Sequence, residues 1–190
     1  MRIGLLGGSF DPPHTGHLLA ASDALEALSL DRVVLIPTAT QPLKAAQQVT
    51  AAQHRLAMAR LLIGDDARFT VDSIEIERGG LSYTVDTLAA LTERWSDAEL
   101  FWLVGTDVTS TFARWREPAR IGELATPVVL QRTGERPDLS GMPGSTRVLT
   151  TRRIDVSSTE IRQRVAEGKS IRGFVPESVA EFIAAQRLYR

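Results

Sequence analysis

The chain of 190 residues has no cysteine, so disulfide bonds, thiolate metal sites and cysteine nucleophiles are excluded. The chain has no excess of positive or negative charge, because 22 basic and 23 acidic residues give a formal net charge of −1. This balance does not favour nucleic acid as a partner. No apolar run approaches the roughly 18 residues of a membrane span, and the chain begins without the basic leader and apolar stretch of a signal peptide. A cytoplasmic protein without nucleic-acid or membrane partners is expected.

Short apolar runs alternate with helical stripes along the chain. Arg2–Leu6 is a buried-strand pattern that ends at a glycine pair, Thr15–Leu28 has apolar residues at helical spacing, and the strand Arg32–Ile36 stops at Pro37. Further strands are predicted at Phe69–Ile76, Leu100–Val104, Pro127–Gln131 and Arg147–Leu149, and further helices at Ala51–Ile63, Thr84–Trp95, from the capping signal in Val156–Glu160, and at Pro176–Leu188. This alternation predicts an α/β fold, namely a Rossmann-like, doubly wound and mostly parallel sheet.

Residues 1–190 are expected to form a single domain, in which residues from about 150 to 190 form a small C-terminal helical appendage. Thr38–Thr50 and Thr133–Ser145 lack periodicity and are predicted to be loops. Neither loop indicates a domain boundary.

The turn after the first strand, GGSFDPPHTGH at residues 7–17, lies where a doubly wound sheet binds phosphate. Gly7 and Gly8 allow a close approach of backbone N–H groups, and the helix start at Thr15 favours anions. The i, i+3 spacing of His14 and His17 places both imidazoles on one face of the first helical turn. They are therefore candidate catalytic donors that stabilise the charge developing on an attacked phosphate, without a covalent step.

Two other interpretations of this turn remain open. The histidines could cap or pack the helix, or Asp11, His14 and His17 could hold zinc, although Asp11 is better explained as part of a rigid proline turn. The proximity of a helix N-terminus predicts a lowered imidazole pKa, which a bound polyphosphate would raise again. The third histidine, His54, is expected to be a surface or core residue of a helix.

Together, several motifs resemble those of a known family. GGSFDPPHTGH resembles the signature of the nucleotidyltransferase superfamily with a histidine-x-glycine-histidine motif. The rest of the chain is similar to the bacterial nicotinate mononucleotide adenylyltransferase family through Ile36-Pro37, HRLAMARL at 54–61, GLSYTVDTL at 80–88, GTD at 105–107, Trp115 and VSSTEIR at 156–162. The resemblance implies transfer of an adenylyl group from ATP, bound with Mg²⁺, to nicotinate mononucleotide, giving deamido-NAD and pyrophosphate.

The resemblance, with the helix-start chemistry, assigns ATP to Gly8, Ser9, Phe10, His14, His17, Gly105, Asp107, Ser157, Ser158, Thr159 and Arg162. Hydroxyls and N–H groups at a second helix start suit phosphate, and Arg162 can form a charge-assisted contact with it. Taken alone, the serine-rich start would be an ordinary helix cap, and Asp107 could likewise cap the helix that follows it. The two helix starts are expected to face each other across a shared triphosphate.

The resemblance assigns the second substrate to Lys44, Tyr83, Thr84, Trp115, Arg116 and Arg132. Trp115 could stack on the cationic pyridine ring or be plain core. The family often has tyrosine where this chain has Arg116, which could assist the nicotinate carboxylate or point to solvent. For Lys44 and Arg132 a solvated surface position is an equal alternative.

Other functions remain open at this point. A preference for nicotinamide mononucleotide, or activity on both mononucleotides, is the nearest alternative, because a site of N–H and hydroxyl donors can also accept an amide oxygen. A non-catalytic nucleotide-binding protein is a different class. The retained histidines, SSTEIR and Asp107 favour the enzyme. No metal ligand is assigned to the protein itself.

Overall fold

The computed structural model describes residues 1–42 and 49–190, so Lys44 and part of the predicted loop 38–50 lie outside the described residues. The strands are β1 (Arg2–Gly8), β2 (Arg32–Pro37), β3 (Phe69–Val71), β4 (Glu99–Gly105), β5 (Thr126–Arg132) and β6 (Arg147–Thr151). The helices are α1 (Thr15–Ala27), α2 (Ala52–Ile63), α3 (Ile74–Arg78), α4 (Thr84–Arg94), α5 (Thr106–Thr109), α6 (Pro118–Leu124), α7 (Ser158–Ala166) and α8 (Glu177–Ala185). A short 3₁₀ turn spans Phe112–Arg114.

The six strands form one sheet in the order β3-β2-β1-β4-β5-β6, and every pairing between neighbours is parallel. The order reverses between β1 and β4, as in a doubly wound sheet, so the predicted fold class is confirmed. The register pairs Gly8 with Pro37 on one side of β1 and Leu6 with Leu103 on the other. The glycine turn after β1 therefore leaves the sheet at the point where the order reverses.

Alternating residues of the central strands build a core on each face of the sheet. On one face Leu6, Phe101 and Leu103 pack in a cluster with residues of α1, α7 and α8. On the other face Leu5 and Trp102 pack with residues of α4 and α6. Period-two alternation in these strands thus buries both faces, as a parallel sheet between helices requires.

Two parts of the predicted element pattern differ from the structure. The third strand ends at Val71 rather than continuing to Ile76, because the Asp72 carboxylate accepts a hydrogen bond from the N–H of Ile74 at 2.8 Å and turns the chain into α3. The sequence also did not indicate α5 and α6, which span four and seven residues. Helices this short show too few turns for a periodic signal.

The C-terminal helices pack into the body of the molecule. Ile161 of α7 and Val179 and Ile183 of α8 belong to the same buried cluster as Leu6 and Phe10. The appendage predicted for residues 150–190 thus shares its core with the first strand. In the described part of the chain, none of the helices has both the length and the apolar character to span a membrane.

Candidate active site

One cavity of about 680 Å³ opens at the carboxyl ends of β1, β4 and β5. This is the edge at which doubly wound sheets bind their ligands. Its wall includes every predicted site residue that the structure describes: Gly8, Ser9, Phe10, His14, His17, Tyr83, Thr84, Gly105, Asp107, Trp115, Arg116, Arg132, Ser157, Ser158, Thr159 and Arg162. Lys44 lies outside the described residues, and its place remains a prediction.

The two histidines lie against each other at the start of α1. The backbone N–H of His14 donates to Nδ1 of His17 at 3.2 Å, and the ring centroids are 3.8 Å apart. Because Nδ1 accepts this bond, the proton of the neutral His17 ring lies on Nε2, which is left as a donor. A Cβ on Gly16 would come within 3.0 Å of the His14 ring, so the glycine between the histidines allows that ring to pack onto the helix.

Burial lowers the pKa of both imidazoles. For His14, which is 6% exposed, burial and then the nearby charge of Arg132 lower the pKa to about 4. For His17, burial, His14 and Arg132 hold the pKa well below 6.5. Both rings are therefore neutral hydrogen-bond donors at pH 7 until an anion binds. The lowered pKa expected from the sequence is present, but its main cause is burial rather than the helix N-terminus.

The start of α7 lies beside the segment from His14 to His17, which we call the histidine turn. Ser157 caps this helix by accepting a hydrogen bond from the N–H of Glu160 at 3.1 Å, so the capping interpretation holds for this residue. The Ser158 hydroxyl donates to the Pro12 carbonyl at 2.8 Å, and Nη1 of Arg162 donates to the Asp11 carbonyl at 2.7 Å. The two helix starts thus line one cleft, which gives it two sets of N–H donors and a guanidinium.

Arg132, at the end of β5, adds a second positive charge at this end of the cavity. Its guanidinium is close enough to lower the pKa of both histidines. Glu135 turns back over the strand end, where its carboxylate accepts from the Thr106 hydroxyl at 2.6 Å and lies 4.0 Å from Nη1 of Arg132. The structure therefore brings Arg132 towards the histidines, whereas the resemblance places it with the second substrate.

Gly105 and Asp107 follow β4 at the same edge. Gly105 is the N-cap residue of α5 and Asp107 lies inside the first turn, so Asp107 does not occupy the capping position. A Cβ on Gly105 would lie 2.6 Å from the Asp107 carboxylate, which shows how closely this carboxylate approaches the backbone. The exposed carboxylate of Asp107 is available to accept hydrogen bonds from ligand hydroxyls.

Aromatic rings form the other end of the cavity. Trp115 packs 5.4 Å from the Trp102 ring and 5.9 Å from the Phe112 ring, yet it is only partly buried and lines the cavity. One part of the Trp115 ring thus belongs to the core and another part is open to the cavity, and its stacking on a pyridine ring stays a prediction. Tyr83 is the N-cap residue of α4, so the N–H groups of the first turn of this eleven-residue helix lie at this end.

The side chain of Arg116 lies at the mouth of the cavity, where it is half exposed and contacts Tyr83 and Asp86. Its guanidinium carbon lies 5.0 Å from the centroid of the Tyr83 ring, and Nη1 lies 3.2 Å from the Asp86 carboxylate. The side chain is 50% exposed. Its charge is thus partly neutralised at the mouth of the cavity, and the pair with Asp86 has only weak Coulomb energy.

Sequence comparisons identify the family. The cytidylyltransferase-like family matches residues 5–164. A protein of Gemmatimonas aurantiaca named as a probable nicotinate-nucleotide adenylyltransferase is 54% identical over 199 residues, covering 100% of this chain and 93% of the relative. One of Thermus thermophilus with the same name is 44% identical over 193 residues and covers both chains completely. The chain belongs to the nicotinate-nucleotide adenylyltransferase family.

A structural comparison supports the same fold. The nicotinic acid mononucleotide adenylyltransferase of Plasmodium falciparum, solved as a complex with NaAD, superposes with a TM-score of 0.78 over 99% of this chain and 97% of that chain. Its sequence identity is 18%. This likeness concerns the architecture of the family, in agreement with the strand order described above.

Arg55 has a structural role at the cavity that the sequence pattern does not indicate. It is 1% exposed, and its guanidinium donates to the carbonyls of Thr50 (2.9 Å), Ser9 (2.7 Å), Thr38 (2.6 Å) and Ala39 (3.1 Å). Burial lowers the pKa of Arg55, with Asp11 acting in the opposite direction. Arg55 thus connects the turn after β1 with the end of β2. The HRL motif gave its position but not this role.

The position of Glu75 at the cavity is also not indicated by the sequence pattern. The residue is 6% exposed and lines the cavity, and its carboxylate accepts a hydrogen bond from the Thr87 hydroxyl at 2.7 Å. Burial raises the pKa of Glu75, and Thr87 partly opposes this effect. The sequence pattern predicts a strand over Phe69–Ile76, whereas the structure places Glu75 in α3. The pattern therefore does not indicate a carboxylate at the cavity wall.

The geometry around His14 and His17 does not favour the zinc alternative. The Asp11 carboxylate accepts hydrogen bonds from the Tyr189 hydroxyl at 2.6 Å and from the N–H of Thr50 at 3.2 Å, so both of its oxygens are engaged in hydrogen bonds within the protein. Across residues 1–42 and 49–190, no three histidine, aspartate or glutamate side chains come together as a metal-binding group. The donor side chains around the starts of α1 and α7 are imidazoles, guanidinium groups and hydroxyls, which suit phosphate oxygens rather than a bare hard cation.

Proposed function

We propose that this protein transfers the adenylyl group of ATP to nicotinate mononucleotide. The observation that carries the proposal is a single cavity with a phosphate-binding end, built from two helix starts and two arginines, and an aromatic end beside a third helix start. The family relatives that match the whole chain bear the same activity in their names. We take residues 1–190 as one nucleotidyltransferase domain, since the C-terminal helices share its core.

In this reaction a phosphate oxygen of the mononucleotide attacks the α-phosphorus of ATP. A new P–O bond forms, the bond to the bridging oxygen of the β-phosphate breaks, and pyrophosphate leaves with the bonding electron pair. His14 and His17 donate hydrogen bonds to phosphate oxygens as negative charge accumulates, while Arg162 and Arg132 supply positive charge. No protein nucleophile takes part, so the catalytic contribution is positioning and electrostatics.

A divalent metal bound with ATP, as is general for nucleotidyltransferases, would neutralise part of the charge on the triphosphate. We assign Mg²⁺ to this place. Among residues 1–42 and 49–190 no carboxylates cluster as a metal-binding group, and the groups around the two helix starts are hydrogen-bond donors, so the cavity fits a metal that would be carried by phosphate oxygens. When bound, Mg²⁺ stabilises negative charge on the phosphates, and the residues of this chain orient the complex.

Gly8, Ser9 and Phe10 line the junction between the nucleotides, and Asp107 accepts from ribose hydroxyls beside Gly105. Ser157, Ser158 and Thr159 complete the triphosphate end. All of these residues border the same cavity. At the aromatic end, Trp115 stacks on the pyridine ring and the N–H groups near Tyr83 and Thr84 bind the nicotinate carboxylate, because a helix start favours an anion over a neutral amide. Lys44 and Arg116 contribute to the mononucleotide end.

The test is a coupled pyrophosphate-release assay with ATP, Mg²⁺ and either nicotinate or nicotinamide mononucleotide. We expect a higher kcat/KM with the nicotinate substrate and no pyrophosphate release without a mononucleotide. Equal efficiency on both substrates would replace the acid-specific function with a dual one. Binding of ATP without turnover on either mononucleotide would contradict the enzyme and favour a nucleotide-binding protein.

A further inference from the structure

The Asp11 residue beneath the histidine turn receives hydrogen bonds from three distant parts of the chain. Its Oδ1 accepts from the Tyr189 hydroxyl at 2.6 Å, and its Oδ2 accepts from the N–H of Thr50 at 3.2 Å. Its backbone carbonyl accepts from Arg162 at 2.7 Å. Asp11 is 7% exposed, and only two prolines separate it from His14. Its position therefore determines where the histidine turn begins.

The C-terminal tail reaches Asp11 through a specific backbone conformation. After α8, Arg187 adopts a left-handed conformation with φ 51°, and Leu188 N–H closes the helix by donating to the Ile183 carbonyl at 3.0 Å. Tyr189 is also left-handed, with φ 62°. Such conformations in residues other than glycine persist where surrounding contacts over-determine them. Here the contacts are the packing of the Tyr189 ring on the core and its bond to Asp11.

The Tyr189 hydroxyl serves as a donor to Asp11. Burial raises the pKa of Tyr189 well above 10, and the bond to Asp11 acts in the same direction, so the phenol stays protonated. A hydrogen bond to an ionised carboxylate is about twice as strong as one between neutral groups. The contact joins residues 178 positions apart, from the last turn of the chain to the first loop.

We propose that Tyr189 is a positioning residue of the active site, whose hydroxyl holds Asp11 and thereby sets the distance between the histidine turn and Arg162. The inference rests on the adenylyl transfer proposed above and extends it to the C-terminal tail. Arg162 and Tyr189 bind the two sides of the same residue, so Asp11 links the imidazoles to the guanidinium that lies across the phosphate end. Loss of the hydroxyl leaves Asp11 with one fewer anchor.

The deciding variant is Tyr189→Phe, which retains the ring and removes only the hydroxyl. We expect kcat to fall about tenfold, because small misplacements of positioning groups slow the reaction strongly. The KM values should change by less than about twofold, since the substrate-binding groups are all still present. Kinetics are measured well below the melting temperature, so that the protein is fully folded. Arg190→Ala, at the exposed neighbouring residue, is the matched control and should retain wild-type kcat.

A double-mutant cycle separates positioning from general stabilisation. In an Asp11→Asn background, the further change Tyr189→Phe should lower kcat only about threefold, because the bond to a neutral amide is about half as strong as the charged one. A merely structural contact would lower the melting temperature of Tyr189→Phe and leave kcat of the folded protein unchanged. A tenfold loss in both backgrounds would also overturn the proposal.

The activity of the wild-type protein distinguishes the two levels of the argument. If the wild type turns over and Tyr189→Phe has the same kcat, the positioning role is wrong while the proposed function stands. If the wild type shows no turnover with either mononucleotide, the proposed function fails and this inference fails with it. A selective fall in kcat, with near-constant KM and coupling to Asp11, supports both.

Discussion

Replacement of His17 by asparagine tests the proposed electrostatic role of the histidine turn. In the structure, Nδ1 of His17 accepts the N–H of His14 at 3.2 Å, which leaves Nε2–H as the only donor of the ring. The amide oxygen of His17→Asn can still accept that N–H, but the shorter side chain places no donor at the former Nε2 position. The variant therefore removes the ligand donor and keeps the helix cap.

The expected magnitude follows from the loss of one preorganised donor. Such a loss in a buried site costs about 3–4 kcal/mol of transition-state stabilisation, or about 100- to 1,000-fold in kcat. Mutation of a surface hydrogen bond would cost far less, and His17 is neither exposed nor charged at pH 7. The coupled pyrophosphate assay at saturating ATP and nicotinate mononucleotide measures the change.

His17→Ala is the matched comparison, because it removes both the donor and the cap. Its kcat should equal that of His17→Asn, while the loss of the cap should lower the free energy of unfolding by about a further 1 kcal/mol. A kcat of His17→Asn within about threefold of wild type would refute the electrostatic role, because the loss of a preorganised donor should lower kcat by about 100-fold or more.

Three more predictions concern pH, the buried arginine and the mouth of the cavity. Because the pKa of His14 is about 4 in the folded state and about 6.5 unfolded, the unfolded chain gains a proton first on acidification. His14 should therefore contribute about 2 kcal/mol to the stability lost between pH 7.5 and pH 5, and the lowered pKa of His17 adds to this loss, which urea denaturation measures. His14→Asn should reduce this loss. Arg55→Met should lower the free energy of unfolding by about 3 kcal/mol, because it leaves buried carbonyls without donors, as chemical denaturation would show. Arg116→Ala should raise the KM for nicotinate mononucleotide by less than about fivefold, because its guanidinium is half exposed and paired with Asp86.

Each of these predictions has a contrary result. An unchanged pH slope in His14→Asn would show that other groups cause the acid instability. Arg55→Lys is the control for charge without the planar fork, and a wild-type stability for Arg55→Met would mean that the four carbonyl bonds contribute nothing net. A KM rise of about 100-fold in Arg116→Ala would show direct pairing of this arginine with the substrate carboxylate.

The sequence predicted the parts of the site that depend on local pattern. Strand endings at Gly7-Gly8 and Pro37 and the spacing of His14 and His17 are encoded within a few residues. Parallel strands bring their carboxyl ends to one edge, so motifs 140 or more positions apart could be expected to meet there. Tyr83, Thr84 and Trp115 also line the cavity, as the family resemblance, rather than geometry, predicts.

Other features could not be read from the sequence, because they depend on the packing of distant elements. The pKa of His14 falls mainly through burial, and burial is a property of the assembled turn. Glu75 was placed in a strand, and only the turn made by Asp72 put it into a helix at the cavity wall. The four carbonyl partners of Arg55 come from two separate loops, one after β1 and one between β2 and α2.

By itself, the sequence determined the order of the six strands and of the longer helices, the position of the turn that carries His14 and His17, and the chemical types of its residues, because periodicity, glycine and proline act locally. The tertiary structure decided which charges are paired and which polar groups are buried. The bond between Tyr189 and Asp11 illustrates the difference, since its partners lie at opposite ends of the chain. Such a contact forms only when α8 has packed on the core that also supports the first turn, and no local pattern specifies that packing.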